Sequence, residues 1–122
     1  CSILEKYMEK INNCVVHCFT GTKEELLRYI DLGCYIGITG WITDMERGSH
    51  LHDIIQLVPE DRLLVETDSP YLMPRNIDKK HGRINEPAYL PYIVKAISQC
   101  LNKNMKYVCD KTYENTKMFF NI

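Results

Sequence analysis

Two short apolar runs end in side chains that can bind a metal or move a proton. Cys14-Val15-Val16 leads into His17-Cys18-Phe19, and Leu63-Leu64-Val65 leads into Glu66-Thr67-Asp68. Imidazole and carboxylate are common ligands of divalent cations and common general acids and bases. Extended alternation puts Val15, His17 and Phe19 on one face, and Leu64, Glu66 and Asp68 on one face. Two carboxylates so close on a buried strand are costly unless something neutralises them. A divalent cation would do so; so would an ion pair of Glu66 or Asp68 with Arg75 or Arg83, beside a helix cap. The two readings have equal weight. For His17 alone, a core histidine bonded to a backbone carbonyl is the favoured reading.

Other chemistry-bearing residues are weaker candidates. His50-Leu51-His52 would be a metal pair on a strand, but it opens a helical pattern, where positions i and i+2 diverge by about 200°. A solvent-facing helix start is expected there. Arg75, Lys79, Lys80, His81 and Arg83 form a local basic patch. It reads either as a solvated loop or as a phosphate contact. The six cysteines include no Cys-x-x-Cys pair. Cys14-x3-Cys18 lacks a second ligand pair, so a zinc knuckle is a poor fit. All six are expected to be reduced, in an intracellular compartment.

The elements that must position these residues follow from periodicity. Residues 2–11 carry apolar side chains at helical spacing. A strand over 14–19 turns at Thr20-Gly21. Thr22 and Glu25 have the spacing of a capping box for a second helix, and Gly33 offers its left-handed stop. A strand over 34–39 follows, then a loop over 40–48 that holds the single tryptophan, Trp41. Helix over 50–57, strand over 62–68, a polar loop over 69–86, helix from Pro87 to about Leu101 and helix over 105–120 complete the chain. A loop that long is more often functional than idle.

Strands alternating with helices imply a parallel sheet. In such folds chemistry gathers at the C-terminal ends of the strands, where His17 and Asp68 both fall. Three parallel strands make a poor sheet alone. A (β/α)8 barrel needs about 250 residues. The chain therefore reads as the last part of such a barrel or as a small open three-layer domain. It starts at Cys1 without an initiator Met or a signal peptide, which suggests a piece of something longer.

Composition sets outer limits. With 15 Lys+Arg against 16 Asp+Glu, the net charge is −1, so bulk charge cannot drive nucleic-acid binding and any phosphate contact must be local. Hydrophobic residues at 45% and charged residues at 25% fit a globular domain rather than a disordered tail. No apolar run approaches the roughly 20 residues of a membrane span.

His17-Cys18-Phe19-Thr20-Gly21 resembles the HCF(S/T)G segment of TatD-type metal-dependent deoxyribonucleases. The stretch Gly33 to Asp44 resembles their next strand and loop. Arg62 to Leu72 resembles their LLxETDxPYL signature. Asn85-Glu86-Pro87 and the closing Asn115-x3-Phe119 are similar to two further motifs. The resemblance runs in order from about residue 14 to the end.

The resemblance implies a partial (β/α)8 TIM barrel of the metal-dependent hydrolase type. Residues 1–122 would be the C-terminal portion of one such domain, covering its last three strands and flanking helices. The implied activity is phosphodiester hydrolysis of DNA from the 3′ end, in the cytoplasm or nucleus. The implied cofactor is a divalent metal, magnesium first, with zinc or manganese as alternatives. His17 falls on the sixth-strand metal ligand. Asp68 falls on the eighth-strand carboxylate, which binds metal and orients or deprotonates the attacking water. Glu66 is expected to brace a ligand, and Asn85, Glu86 and Arg83 to line or brace the site.

Two departures from the family pattern matter. Its first-strand His-x-His, fourth-strand Glu and fifth-strand His are absent, leaving two of six ligands. Two protein ligands rarely hold magnesium unaided, so the chain alone is expected to be inactive or nearly so, and the metal can be absent from it. The position directly before Asn85 holds Ile84, with Arg83 one earlier. The rival readings are another hydrolase of this type, acting on an amide, ester or lactone, and a non-catalytic fragment that self-associates through exposed barrel edges. No membrane partner is expected.

Overall fold

The computed structural model describes residues 2–77 and 82–122. Cys1, Lys79, Lys80 and His81, named above, lie outside the described residues. The order is α1 (Ser2–Tyr7), β1 (Val15–Val16), α2 (Lys23–Asp31), β2 (Tyr35–Ile38), α3 (Ser49–Ile54), β3 (Leu63–Val65), α4 (Leu90–Cys100) and α5 (Met105–Phe120). Short 3-10 turns extend α1, α3 and the entry to α4, and one follows β2 at Gly40–Thr43.

The strands form one parallel sheet in the order β1-β2-β3. Val15 and Val16 pair with Tyr35 and Ile36, while Ile36, Gly37 and Ile38 pair with Leu63, Leu64 and Val65. All three strands therefore end at one edge, and the loops after them form one rim. Beneath that rim Ile36, Ile38, Ile42, Leu51, Ile93 and Ile97 are buried in one apolar cluster.

Local sequence explains how the elements start and stop. The Thr22 hydroxyl accepts from Glu25 N–H while the Glu25 carboxylate accepts from Thr22 N–H, a complete capping box. Gly33, at φ 77°, closes α2 with bonds from Gly33 N to Ile30 O and from Cys34 N to Tyr29 O, a Schellman end. Asn102 ends α4 in the same way, at φ 51°. The Asn104 side chain caps α5 by accepting from Lys106 N–H.

The strands are shorter than their apolar runs. β1 ends at Val16 because Cys18 adopts a left-handed φ of 47°. That turn breaks the alternation expected over 15–19: the His17 side chain is 60% exposed, whereas Phe19 is buried in the core. Leu63 and Leu64 are both buried, so β3 does not show an alternating pattern either.

Candidate active site

His17 stands at the end of β1, and Glu66 and Asp68 lie just past the end of β3. β2 runs between them. The His17 ring nonetheless spans both carboxylates: Nδ1 is 2.8 Å from Glu66 Oε2, and Nε2 is 2.9 Å from Asp68 Oδ1. The same Glu66 oxygen accepts the Cys18 N–H at 3.0 Å. The left-handed turn at Cys18 carries that N–H, and a second at Asp68, φ 61°, shapes the loop that bears its carboxylate. Single left-handed non-glycine residues are costly by roughly 1–2 kcal/mol each, and such backbone collects at functional sites.

For Glu66 to reach across β2, the middle strand must have no side chain in its path. Gly37 meets that need, since a Cβ there would sit 2.3 Å from Glu66 Oε1 and 2.5 Å from its Cδ. The expected ion pairs of Glu66 or Asp68 with Arg75 or Arg83 do not form. Arg75 instead approaches Asp44, at 3.6 Å, and Arg83 has no acidic partner among the described residues. His17 is not a core histidine bonded to a carbonyl.

The arrangement restricts proton positions. Glu66 as a carboxylate only accepts, so the proton of its bond to His17 sits on Nδ1. A neutral ring then points its Nε2 lone pair at the Asp68 oxygen, and two acceptors at 2.9 Å repel unless a proton or a cation stands between them. A carboxylate holding the far nitrogen of a ligating histidine is the usual support of a metal site. The two facing donors, one nitrogen and one oxygen, suit a divalent cation, with Glu66 fixing the ring. They suit it as part of a site: among the described residues, no group of three or more His, Cys, Asp or Glu is disposed to hold a metal ion. Glu66, His17 and Asp68 form a row with the ring in the middle and do not converge on a point.

Cys18 adds no nucleophile. Burial raises its thiol above the ordinary range, and the Asp68 and Glu66 carboxylates oppose a thiolate further, although the Thr39 hydroxyl, 3.3 Å away, acts the other way.

Asn85 is buried and braces the rim. Its Nδ2 donates to Thr67 O and Tyr71 O at 2.7 and 2.6 Å, its Oδ1 accepts from Glu86 N–H, and its own N–H reaches Pro70 O. It thereby fixes the turn that carries Asp68. The Glu86 side chain is exposed, and the residue serves as the cap preceding the 3-10 turn at Pro87. Arg83 lines a concavity with Trp41, Asp44, Arg47 and Arg75. His50 is exposed, with Nε2 3.1 Å from Thr20 O, but His52 is half-buried on Ile42 O at 2.7 Å, which corrects the expectation that both face solvent. They bind different carbonyls on different segments, and so do not form a pair.

Gly37 is not legible as a site residue from the sequence, and Asp44 is not among the residues singled out from it. The role of Gly37 depends on the parallel register, which no local pattern reveals. Asp44-x-x-Arg47 did carry a signal, an acid and a base at turn spacing inside a loop that follows a strand.

Residues 1–121 match the family model described as TatD related DNase. The chain is 44% identical over 120 residues to the 3′-5′ ssDNA/RNA exonuclease TatD of Rahnella sp. (strain Y9602), covering 98% of this chain and 46% of that protein. It superposes on the crystal structure of YJJV, a TatD homolog from Escherichia coli K12, with TM-score 0.84 and 26% identity, over 99% of this chain and 45% of the other. A TatD-family hydrolase from Entamoeba histolytica gives TM-score 0.82 at 24% identity, over 100% and 47%. The chain spans about half the length of the curated relatives it matches.

Proposed function

The chain belongs to the TatD-related DNase family, and from that premise we propose that it is the strand-end half of a divalent-metal-dependent nuclease. Residues 1–122 then form the C-terminal portion of a (β/α)8 barrel, holding its last three strands. The substrate is single-stranded nucleic acid, hydrolysed at phosphodiester bonds from the 3′ end. The setting is cytoplasmic, which suits the unpaired thiols of Cys14, Cys18, Cys34, Cys100 and Cys109; no helix among the described residues is long and apolar enough to cross a membrane.

One observation carries the reading: His17 and Asp68, far apart in sequence, face each other at 2.9 Å on the strand-end rim, with Glu66 holding the opposite ring nitrogen. His17 Nε2 and Asp68 Oδ1 are the atoms that would hold a divalent cation. Such a cation, when bound, supplies positive charge to the phosphate oxygens and acidifies water. Asp68 orients the attacking water and takes its proton. Glu66 keeps the proton on His17 Nδ1, so that Nε2 stays available as a donor atom. Asn85 keeps the Asp68 turn from shifting, because a misplaced base costs rate steeply.

Two ligand side chains are a weak hold for magnesium. The 122-residue chain alone should therefore show little or no nuclease activity. Joined to the N-terminal half of a TatD relative, it should cut single-stranded oligonucleotides when magnesium, manganese or zinc is added. Asp68→Asn in that joined enzyme should lower turnover by roughly 10²–10⁴-fold, the range for loss of a positioned acid or base. Unchanged turnover would remove Asp68 from the reaction. A panel of small amides, esters and lactones, run beside the oligonucleotides, separates this reading from another hydrolase of the same fold.

A further inference from the structure

A concavity lies on the same rim. The loop after β2 and the loop after β3 enclose a concavity of about 250 Å³ whose lining includes Trp41, Asp44, Arg47, Arg75 and Arg83. None of His17, Glu66 or Asp68 lines it. Three arginines and one acid line it, in a chain whose overall charge is −1. The positive charge is therefore local.

The concavity is built and not merely crowded. The Asp44 side chain, 11% exposed, takes Arg47 Nε and Nη2 at 3.0 and 2.8 Å and stands 3.6 Å from Arg75 Nε. The Arg47 side-chain bonds, with the backbone N–H groups of Arg47 and Glu46, hold its carboxyl below the usual carboxylate range. The Arg47 guanidinium lies 4.6 Å over the Trp41 ring. Arg47 is thus fixed on two sides before any ligand arrives, which removes much of the ordering cost of binding. Arg75 is tied by its backbone, whose N–H donates to Thr43 Oγ1 at 2.7 Å, and Thr43 donates in turn to Gly40 O. Its guanidinium and that of Arg83 have the exposure to reach a ligand.

The two loops are also clasped to each other. A Cβ on Gly40 would sit 2.0 Å from Leu72 O. Asn85, two residues from Arg83, binds Thr67 O beside Asp68. The arginine concavity and the His17–Asp68 pair therefore belong to one braced rim.

We propose that Arg47, Arg75 and Arg83 form a phosphodiester subsite that holds the backbone of a single nucleic-acid strand upstream of the 3′-terminal bond placed at His17 and Asp68. Guanidinium groups suit this role, since their planar forks match phosphate oxygens. The proposal rests on the nuclease reading above. It makes recognition of length, and not of sequence, the task of this concavity.

The test is binding without cleavage. The 122-residue chain is titrated in EDTA with 5′-fluorescein oligothymidylates of two and twelve nucleotides, read by fluorescence anisotropy at several salt concentrations. Wild type should bind the twelve-mer more tightly than the dinucleotide. Arg83→Ala, which disturbs no ion pair among the described residues, should weaken the twelve-mer about tenfold and lower its salt slope by about 0.7, leaving the dinucleotide unchanged. Arg47→Lys, which keeps the charge but loses the two-point bond to Asp44, should fall between wild type and Arg47→Ala. Circular dichroism melts confirm that each variant folds. No binding of the twelve-mer by wild type, equal weakening of both lengths, or no weakening by any arginine variant overturns the subsite. If the joined enzyme never cuts nucleic acid while the length-dependent loss persists, the subsite stands and the nuclease reading falls. If it cuts normally and the arginine variants bind like wild type, the reverse holds.

Discussion

At the scale of single residues, the site depends on a missing side chain as much as on those present. Gly37 sits in the middle strand, and Glu66 passes over it to reach Cys18 N–H and His17. Gly37→Ala should push the carboxylate away, since its atoms lie 2.3–2.7 Å from the new methyl. The expected cost is about 1–3 kcal/mol of stability, as for other overpacked sites, with loss of turnover in the joined enzyme. A double-mutant cycle identifies the cause. Glu66→Ala removes the atoms that clash, so Gly37→Ala should add almost nothing to it. Additive losses would mean that the methyl strikes something other than Glu66. The sequence made His17 and Asp68 legible, because both follow apolar runs at strand ends. It could not make Gly37 legible, because Gly37 matters only through its pairing with Leu64 across the sheet.

At the scale of elements, features set within a few residues are legible in the sequence and those set by distant contacts are not. The Thr22–Glu25 box, the Gly33 stop and the limits of α5 all arise within a few residues, and the structure has each of them. The strands are shorter than apolar patterning predicts. Left-handed turns at Cys18 and Asp68 end the extended chain early, and nothing in apolar patterning announces such turns. The closing Asn115-x3-Phe119 has a physical reading of its own. Asn115, buried on α5, donates to Glu60 O and Leu63 O at 2.7 and 2.8 Å. Phe119 meets Tyr35 edge-on at 5.1 Å. The helix is thereby fastened to the start of β3 and to β2. Asn115→Ala should cost about 1–3 kcal/mol, the penalty for stranded polar groups. Asn115→Asp should cost more, because a carboxylate would face two carbonyl oxygens. Urea midpoints of the two variants give the order, and a better-folded Asp variant would mean that the amide does not clamp β3.

At the scale of the whole molecule, the sheet has two outer strands and therefore two open edges. Arg62 O and Glu66 N bond to β2, so the Leu63 carbonyl between them faces outward. Asn115 covers that carbonyl, which blunts the β3 edge. No comparable side chain covers the outer edge of β1 among the described residues. On α1, next in the chain to β1, Ile3 and Tyr7 are exposed at 74% and 52%. Phe120 and Ile122 are exposed at 62% and 80% beyond Phe119, whose carbonyl binds Asn13 just before β1. The end of α5 thus brings apolar surface beside the open backbone of β1, and α1 precedes that strand in the chain. A second copy meeting the first through the β1 side would bury both. Sedimentation velocity on the 122-residue chain should show a dimer or larger species forming between about 1 and 100 μM. Charged substitutions Ile3→Lys and Phe120→Lys should shift it toward monomer. Corresponding changes on the β3 side, such as Tyr113→Lys, should leave assembly unchanged. A chain that stays monomeric over the whole range, or one that responds equally to both sides, would show that the β1 edge needs no cover.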